Sequence, residues 1–285
     1  MQQNHLNTQK RKRTILSLLL LILILTLCSC ANNGGIISLG GYTYDNAGKY
    51  TAGGAQISGR VDTLDVSWIE GQVNLGFHNG RDILVSETAR RSLEASAELR
   101  WYLDGSTLCI KYAESGFKTH QNLDKELTVL LPRTMELDSV KLSVVSANVK
   151  MEPITADAVA IHSVSGSLHV CIASADRLDL SNVSGGVFVN AARLNEVKAD
   201  TVSGNVTLEI ACTPDRITAD STSGDVIIRL PEDAGFTARL SSVSGDVRGS
   251  MPMQAQGGKR YTAGNGRCAI DADTVSGDLQ LDELK

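Results

Sequence analysis

Seven serines in the second half of this chain, Ser146, Ser165, Ser184, Ser203, Ser223, Ser244 and Ser276, recur in one context at steps of 19, 19, 19, 20, 21 and 32 residues. The last six are followed by Gly166, Gly185, Gly204, Gly224, Gly245 and Gly277, and Ser146 is followed by Ala147. A short, nearly constant period marks a stacked repeat. Apolar residues recur six, four and one positions before each serine and three, five and seven after it. For Ser184 these are Leu178, Leu180, Val183, Val187, Val189 and Ala191; for Ser203 they are Val197, Ala199, Val202, Val206, Leu208 and Ile210. Alternation on both sides of a corner gives two strands per rung, with the glycine supplying the bend. One rung cannot bury its apolar face alone, but rungs stacked at about 4.8 Å build a continuous interior. The predicted fold class is all-β: a parallel β-solenoid with 19–21-residue rungs, preceded by an N-terminal β-meander or hairpin region. Rungs of that length are too short for helices on both sides, which disfavours a leucine-rich type of α/β solenoid.

The N-terminal third follows a different logic. The template first fits a corner without serine, Glu70-Gly71, with Leu64, Val66, Ile69, Val73 and Leu75 in register. Asn79-Gly80 and Asp104-Gly105 each separate two alternating runs and read as hairpin turns, pairing residues 72–78 with 82–87 and 97–103 with 107–113. Residues Glu87 to Ala97 read as a short helix or a loop. The 32-residue step holds Pro252 to Arg267 with four glycines and predicts a protruding loop or hairpin. Charges in the final Asp282-Glu283-Leu284-Lys285 suit a last open strand that must not pair with another molecule.

The beginning of the chain is a processing signal. Lys10, Arg11, Lys12 and Arg13 precede an uncharged, mostly apolar run from Ile15 to Leu27. That run is shorter than the roughly 20 residues of a membrane-spanning helix and suits a secretory signal. Leu27-Cys28-Ser29-Cys30 then resembles the lipobox of bacterial lipoproteins, which makes Cys30 the lipidated residue. The expected organisation is a lipoprotein signal peptide over 1–29, lipidated Cys30 with a flexible tether over 30–54, and a β-strand-repeat domain over 55–285. Removing residues 1–29 takes four of the 27 basic residues, leaving 23 against 32 acidic ones, a net charge of −9. An acidic surface repels phosphate backbones, so nucleic acid is not an expected partner.

Several motifs together carry a family resemblance: Lys49-Tyr50-Thr51-Ala52-Gly53, the run Leu64-Asp65-Val66-Ser67-Trp68-Ile69-Glu70-Gly71-Gln72-Val73, and the serial Val-Ser-Gly corners. Over residues 47–285 the chain resembles the bacterial putative-adhesin family of β-strand-repeat proteins. The resemblance implies a β-solenoid-like architecture and export or membrane association, and it brings no catalytic residues.

Candidate chemistry is sparse. Two positions after the corner serines, Asp225, Asp246 and Asp278 pose a ladder of carboxylates of the kind calcium prefers, although the glycine-rich repeat of calcium-binding β-rolls is absent. Solvated turn aspartates explain the pattern more simply. Seven equivalent serines argue for a structural role, hydrogen-bonding along the stack or to local backbone, because a nucleophile is normally single and sits beside a base. Outward Phe188, His169, Arg229 and Tyr261 are the contact candidates. Cys109, Cys171, Cys212 and Cys268 are scattered, with no metal-ligand spacing, and their redox state is left open. No catalytic, cofactor-binding or metal-binding residue and no cofactor is expected. The expected function is a lipid-anchored cell-envelope module for interaction, adhesion or scaffolding, tied to the membrane by its N-terminal lipid and facing the extracytoplasmic side, with an envelope protein or surface ligand as partner. An envelope-stress sensor working through a membrane protein is the alternative, and a β-helix carbohydrate-active enzyme the third.

Overall fold

A computed structural model describes residues 36–38, 41–118 and 122–285. Residues 1–29 and Cys30 lie outside that set. Strands β1 (Ile36–Ser38) and β2 (Gly41–Thr43) pair antiparallel, and a 3-10 turn (Ala47–Lys49) leads into β3 (Thr51–Ala52) and β4 (Ala55–Ile57). There follow β5 (Thr63–His78), β6 (Ile83–Thr88), β7 (Arg100–Asp104), β8 (Thr107–Lys111) and β9 (Glu126–Pro132). The repeats comprise β10 (Leu137–Ser165), β11 (Leu168–Ser184), β12 (Val187–Ala191), β13 (Leu194–Ser203), β14 (Val206–Ile210), β15 (Arg216–Ser223) and β16 (Val226–Leu230). The chain then runs through β17 (Phe236–Ser244), β18 (Val247–Arg248), β19 (Gln254–Gly257), β20 (Arg260–Ala263), β21 (Cys268–Ser276) and β22 (Leu279–Glu283).

The chain folds as a parallel β-solenoid. β10 lies on β5 with Ser146 opposite Glu70, so the corner without serine belongs to the stack. Further up, Ser165 meets Ser184, Ser184 meets Ser203, and Ser203 meets Ser223. Below β5 a further, interrupted rung is made of β8 and β9, both parallel to β5. Like sits above like in the interior: Leu178 under Val197 under Ile217, and Val187 under Val206 under Val226, all 3% exposed or less.

Above Ser223 the stack leaves sequence order. β15 pairs with β21, placing Ser223 against Ser276, and β21 pairs on its other side with β17, placing Ser276 against Ser244. The last repeat in the sequence is therefore inserted beneath the one before it. The 32-residue step contains the expected hairpin, β19–β20, and the hairpin folds back over β17 in antiparallel pairing. The expectation that the charged C-terminal strand forms the open end is corrected: β22 lies between β16 and β18.

The base is a meander, with two departures in detail. β7 and β8 pair antiparallel around Gly105 (φ 61) as expected. The Asn79-Gly80 turn does not join paired strands: β9 lies between β5 and β6, parallel to the first and antiparallel to the second. A two-residue hairpin cannot span an intervening strand, and the wider connection is held by the His78 ring, which accepts Gly80 N–H at 3.2 Å. The stretch from Glu87 to Ala97 ends β6 and continues as loop. Within the segment expected as tether, three tyrosines dock on the core while most of the residues between them are exposed. Tyr42 and Tyr44 are buried, and Tyr44 stacks edge-on to Tyr42 and Tyr50 at 5.5 and 4.9 Å. Large aromatic rings remove enough apolar surface from water to anchor such an arm.

Candidate functional site

The site with the strongest claim is the ridge formed by the corners together with the outward faces on either side. Its geometry follows from strand parity. Because the pleat has a period of two, positions −6, −4 and −2 before each serine face one side. The valines at −1, read above as apolar partners of −4 and −6, therefore point outward. Val145, Val164, Val183, Val202 and Val275 are half-buried along the ridge, and Val243 is 52% exposed.

The inward −2 position is instead small and polar in the upper rungs, a column the sequence reading missed. Ser163, Asn182, Thr201, Ser221 and Thr274 are buried. Several of them cap the corner from inside: Asn182 Nδ2 donates to Gly185 O at 2.9 Å, Ser221 Oγ to Gly224 O at 3.3 Å, and Ser242 Oγ to Gly245 O at 3.0 Å. A corner carbonyl that has no strand N–H opposite it needs such a donor. The signal was present as a small polar residue two places before every Ser-Gly pair.

The glycines are required by contact as much as by backbone angle. A Cβ on Gly204 would stand 2.2 Å from Gly185 O, and one on Gly185 2.3 Å from Gly166 O, with φ of 122° and 108°. Ala147 is fully buried and is not among the residues with positive φ, so its corner bends in another way. The corner serines themselves are mostly exposed. Ser146 Oγ and Ser165 Oγ lie 3.3 Å apart, a bond along the stack as expected.

The Asp225, Asp278 and Asp246 ladder exists in that spatial order and is engaged by backbone. Asn205 Oδ1 accepts Asp225 N–H at 3.0 Å, Asp225 Oδ1 accepts Asp278 N–H at 2.9 Å, and Asp278 Oδ1 accepts Asp246 N–H at 2.7 Å. Arg248 pairs with Asp278. The Asn205, Asp225 and Asp278 side chains thus act as rung-to-rung staples, and Asp246 contributes its N–H alone. No group of His, Cys, Asp or Glu among the described residues is arranged to hold a metal ion.

A second acidic column lies on the outward face at position −3, where Asp200 is in register with Asp220 and Asp220 with Asp273. Lys198 Nζ reaches Asp200 at 2.6 Å. Burial, then the neighbouring Asp200 and Asp273 charges, push the Asp220 carboxyl up to about 6. Across the corner, on the other face, His169 and Phe188 stack at 4.8 Å and Arg229 Nη1 reaches Glu209 at 2.7 Å, while Tyr261 is partly buried against the core. His162 stands at −3 in its own rung, its imidazole basicity lowered by burial.

In the base, the fully buried Lys125 ammonium contacts Ala97 O, Tyr112 O and Glu87 Oε2, each at 2.6 Å. It also lies 4.3 Å from the Tyr112 ring centre and 4.9 Å from that of Trp68. Desolvation lowers its basicity, and Glu87 opposes that effect. Three acceptors and two ring faces make this a structural ion pair. All four described cysteines are free, and burial pushes the Cys268 thiol up to about 12.

A rod of parallel rungs with a Ser-Gly ridge defines a class of β-strand-repeat proteins. The chain belongs to the Toastrack DUF4097 family, whose profile matches residues 57–214 and, overlapping, 174–282. Among solved structures it is similar to a putative adhesin from Bacteroides fragilis NCTC 9343, with 12% identity and a TM-score of 0.44, covering 82% of this chain and 97% of the other. It is also similar to a putative lipid binding protein from Parabacteroides distasonis ATCC 8503, at 13% identity and a TM-score of 0.44, covering 84% and 98%. A putative cell adhesion protein from Clostridium sporogenes ATCC 15579 gives 12% and 0.39, covering 83% and 100%. Likenesses this distant carry no functional argument. A comparison with curated proteins gave no match. No helix of the described residues is long and apolar enough to cross a membrane.

Proposed function

We propose that this protein is an exported, lipid-anchored module that works at the cell envelope by interaction, adhesion or scaffolding and performs no chemistry itself. The observation that carries the reading is the register of the stack, which sets the corner serines in one column along an exposed ridge and aligns Asp200, Asp220 and Asp273 beside it. A protein with a columnar surface and serines repeated in equivalent surroundings is built to present contacts, since catalysis needs unlike groups converging on one point. The basic and apolar leader, the Leu27-Cys28-Ser29-Cys30 sequence and the acidic remainder support export and anchoring through Cys30.

The test is cross-linking in intact cells, comparing the wild type with Cys30→Ser, followed by affinity capture and mass spectrometry. Recovery of surface glycans or external proteins supports adhesion. A specific membrane protein captured only with the wild type moves the reading to a sensor or regulator. Unchanged membrane attachment of the variant ends the lipid-anchor proposal.

A further inference from the structure

Within the stack, each rung requires the next. The N–H three positions after the corner serine donates to a carbonyl of the following rung: Val187 to Asn205 O at 3.0 Å, Val206 to Asp225 O at 3.0 Å, Val226 to Asp278 O at 2.9 Å and Leu279 to Asp246 O at 3.0 Å. Corner glycines do the same, Gly204 to Ser223 O at 3.2 Å and Gly277 to Ser244 O at 3.2 Å. The Ser244 rung is outermost, so its outer edge offers the same template to any strand pair with the same spacing. This chain supplies such strands, and an unguarded edge therefore invites a second copy.

That edge is occupied in a particular way. β20 pairs antiparallel with Phe236 to Arg239, and Leu240 N–H then donates to Lys259 O at 3.0 Å. Lys259 Nζ donates to Ser242 Oγ at 2.8 Å and to Gly245 O, and lies 3.9 Å from Asp246 Oδ1. One residue thus covers the edge from 240 to the corner with its carbonyl and its ammonium. It can do so because the hairpin tip coils through three successive left-handed residues, Gly257, Gly258 and Lys259, at φ 84°, 63° and 57°. Nothing beyond the tip repeats the template. β19 is four residues long, antiparallel to β20 and irregular between Ala255 and Gly257, while β18 has two residues and is soon followed by Pro252. Short, irregular strands and proline are devices that keep edges from pairing.

We propose that hairpin β19–β20, through Lys259, is an end stop that prevents the Ser244 rung from accepting the strands of a second copy of this chain. The stop acts at the corner, where the ammonium takes the Gly245 carbonyl and lays a charge on the surface that an incoming glycine corner would have to touch.

The test compares the full chain in detergent, at fixed micelle excess, as wild type, Lys259→Ala, Lys259→Met and Lys259→Arg. Sedimentation velocity over a protein concentration series reads association, and hydrogen exchange locates it. Both neutral variants are expected to self-associate at least about tenfold more tightly than wild type, the factor expected when a charge-assisted hydrogen bond is removed from an edge. Amide protection gained on association should include residues 240–248, and the arginine variant should remain as dispersed as wild type. The proposal is overturned if the neutral variants stay folded by circular dichroism and associate no more than wild type, or if the new protection falls on the lateral faces. It is also overturned if both neutral variants unfold, which would make Lys259 a stability residue, or if the wild type already associates through 240–248.

Discussion

The base of the rod, residues 42–132, and the stack above it, residues 137–283, bury apolar surface by opposite means. The base uses unlike parts: antiparallel hairpins, an aromatic arm, and a lysine and a glutamate buried against Trp68 and Tyr112. The stack uses one part repeatedly, with Val, Leu, Ile and Ala in columns and a glycine at almost every bend. In the stack any rung can do another's work, so stability is close to a sum over rungs and their interfaces. In the base single residues are irreplaceable.

The comparison breaks most sharply at Lys125. Lys125→Met leaves Glu87 buried without its cation and should cost about 3–5 kcal/mol in denaturant unfolding, whereas Lys125→Met with Glu87→Gln should recover much of that loss. If the double variant is no better than the single, Lys125 and Glu87 do not act as a pair. Val206→Asp should be about as severe, roughly 3–4 kcal/mol, because it buries an unpaired charge in the column interior. Val202→Asp, on the outward −1 column, should be tolerated within about 1 kcal/mol, and equal losses at the two sites would refute the assigned parity.

Gly204→Ala should cost at least ~2 kcal/mol through strain and the clash with the Gly185 carbonyl, while Ala147→Gly, at the corner that needs no positive φ, should cost about 1 kcal/mol. Asp220→Asn gives a smaller effect with a definite pH signature. The native carboxyl titrates near 6 and the unfolded one near 3.8, so the native state holds the proton more firmly. The wild type should therefore lose stability as pH rises from about 4 to about 6. The variant should gain about 2–4 °C in Tm at pH 7, the shift that ~1 kcal/mol produces in a domain of this size, and nothing at pH 3.5. Asp246→Ala, at a carboxylate 89% exposed and far from Lys259 for a salt bridge of any strength, should move Tm by less than about 1 °C.

Much of the stack was legible because the repeat is written in residue types that only one face accepts. The spacing of Leu178, Leu180, Val187 and Val189 places the interior without any long-range information. The valines at −1 misled because apolarity was counted ahead of parity, and the true inward neighbours, Ser163 to Thr274, were passed over because they are polar. Ser163, Asn182, Ser221 and Ser242 are paired there with corner carbonyls, which have no residue letter. The insertion of β21 beneath β17 could not be read at all, since two rungs with one template fit either order, and the outer edge of β17 is taken by β20. The Lys125 and Glu87 pair was equally hidden, because partners 38 positions apart leave no periodic trace.

That inverted order has a consequence for how the molecule comes into being. A chain made from its N-terminus can lay down the rungs from Glu70 to Ser223 in succession, each as soon as it appears. Residues 236–248 come next, yet their proper seat is the face of a segment, 268–283, still to be synthesised. The seat of the Ser244 rung is therefore supplied by strands that follow it in the chain, and its native neighbour on that side exists only once residues 268–283 have taken their place on the Ser223 rung.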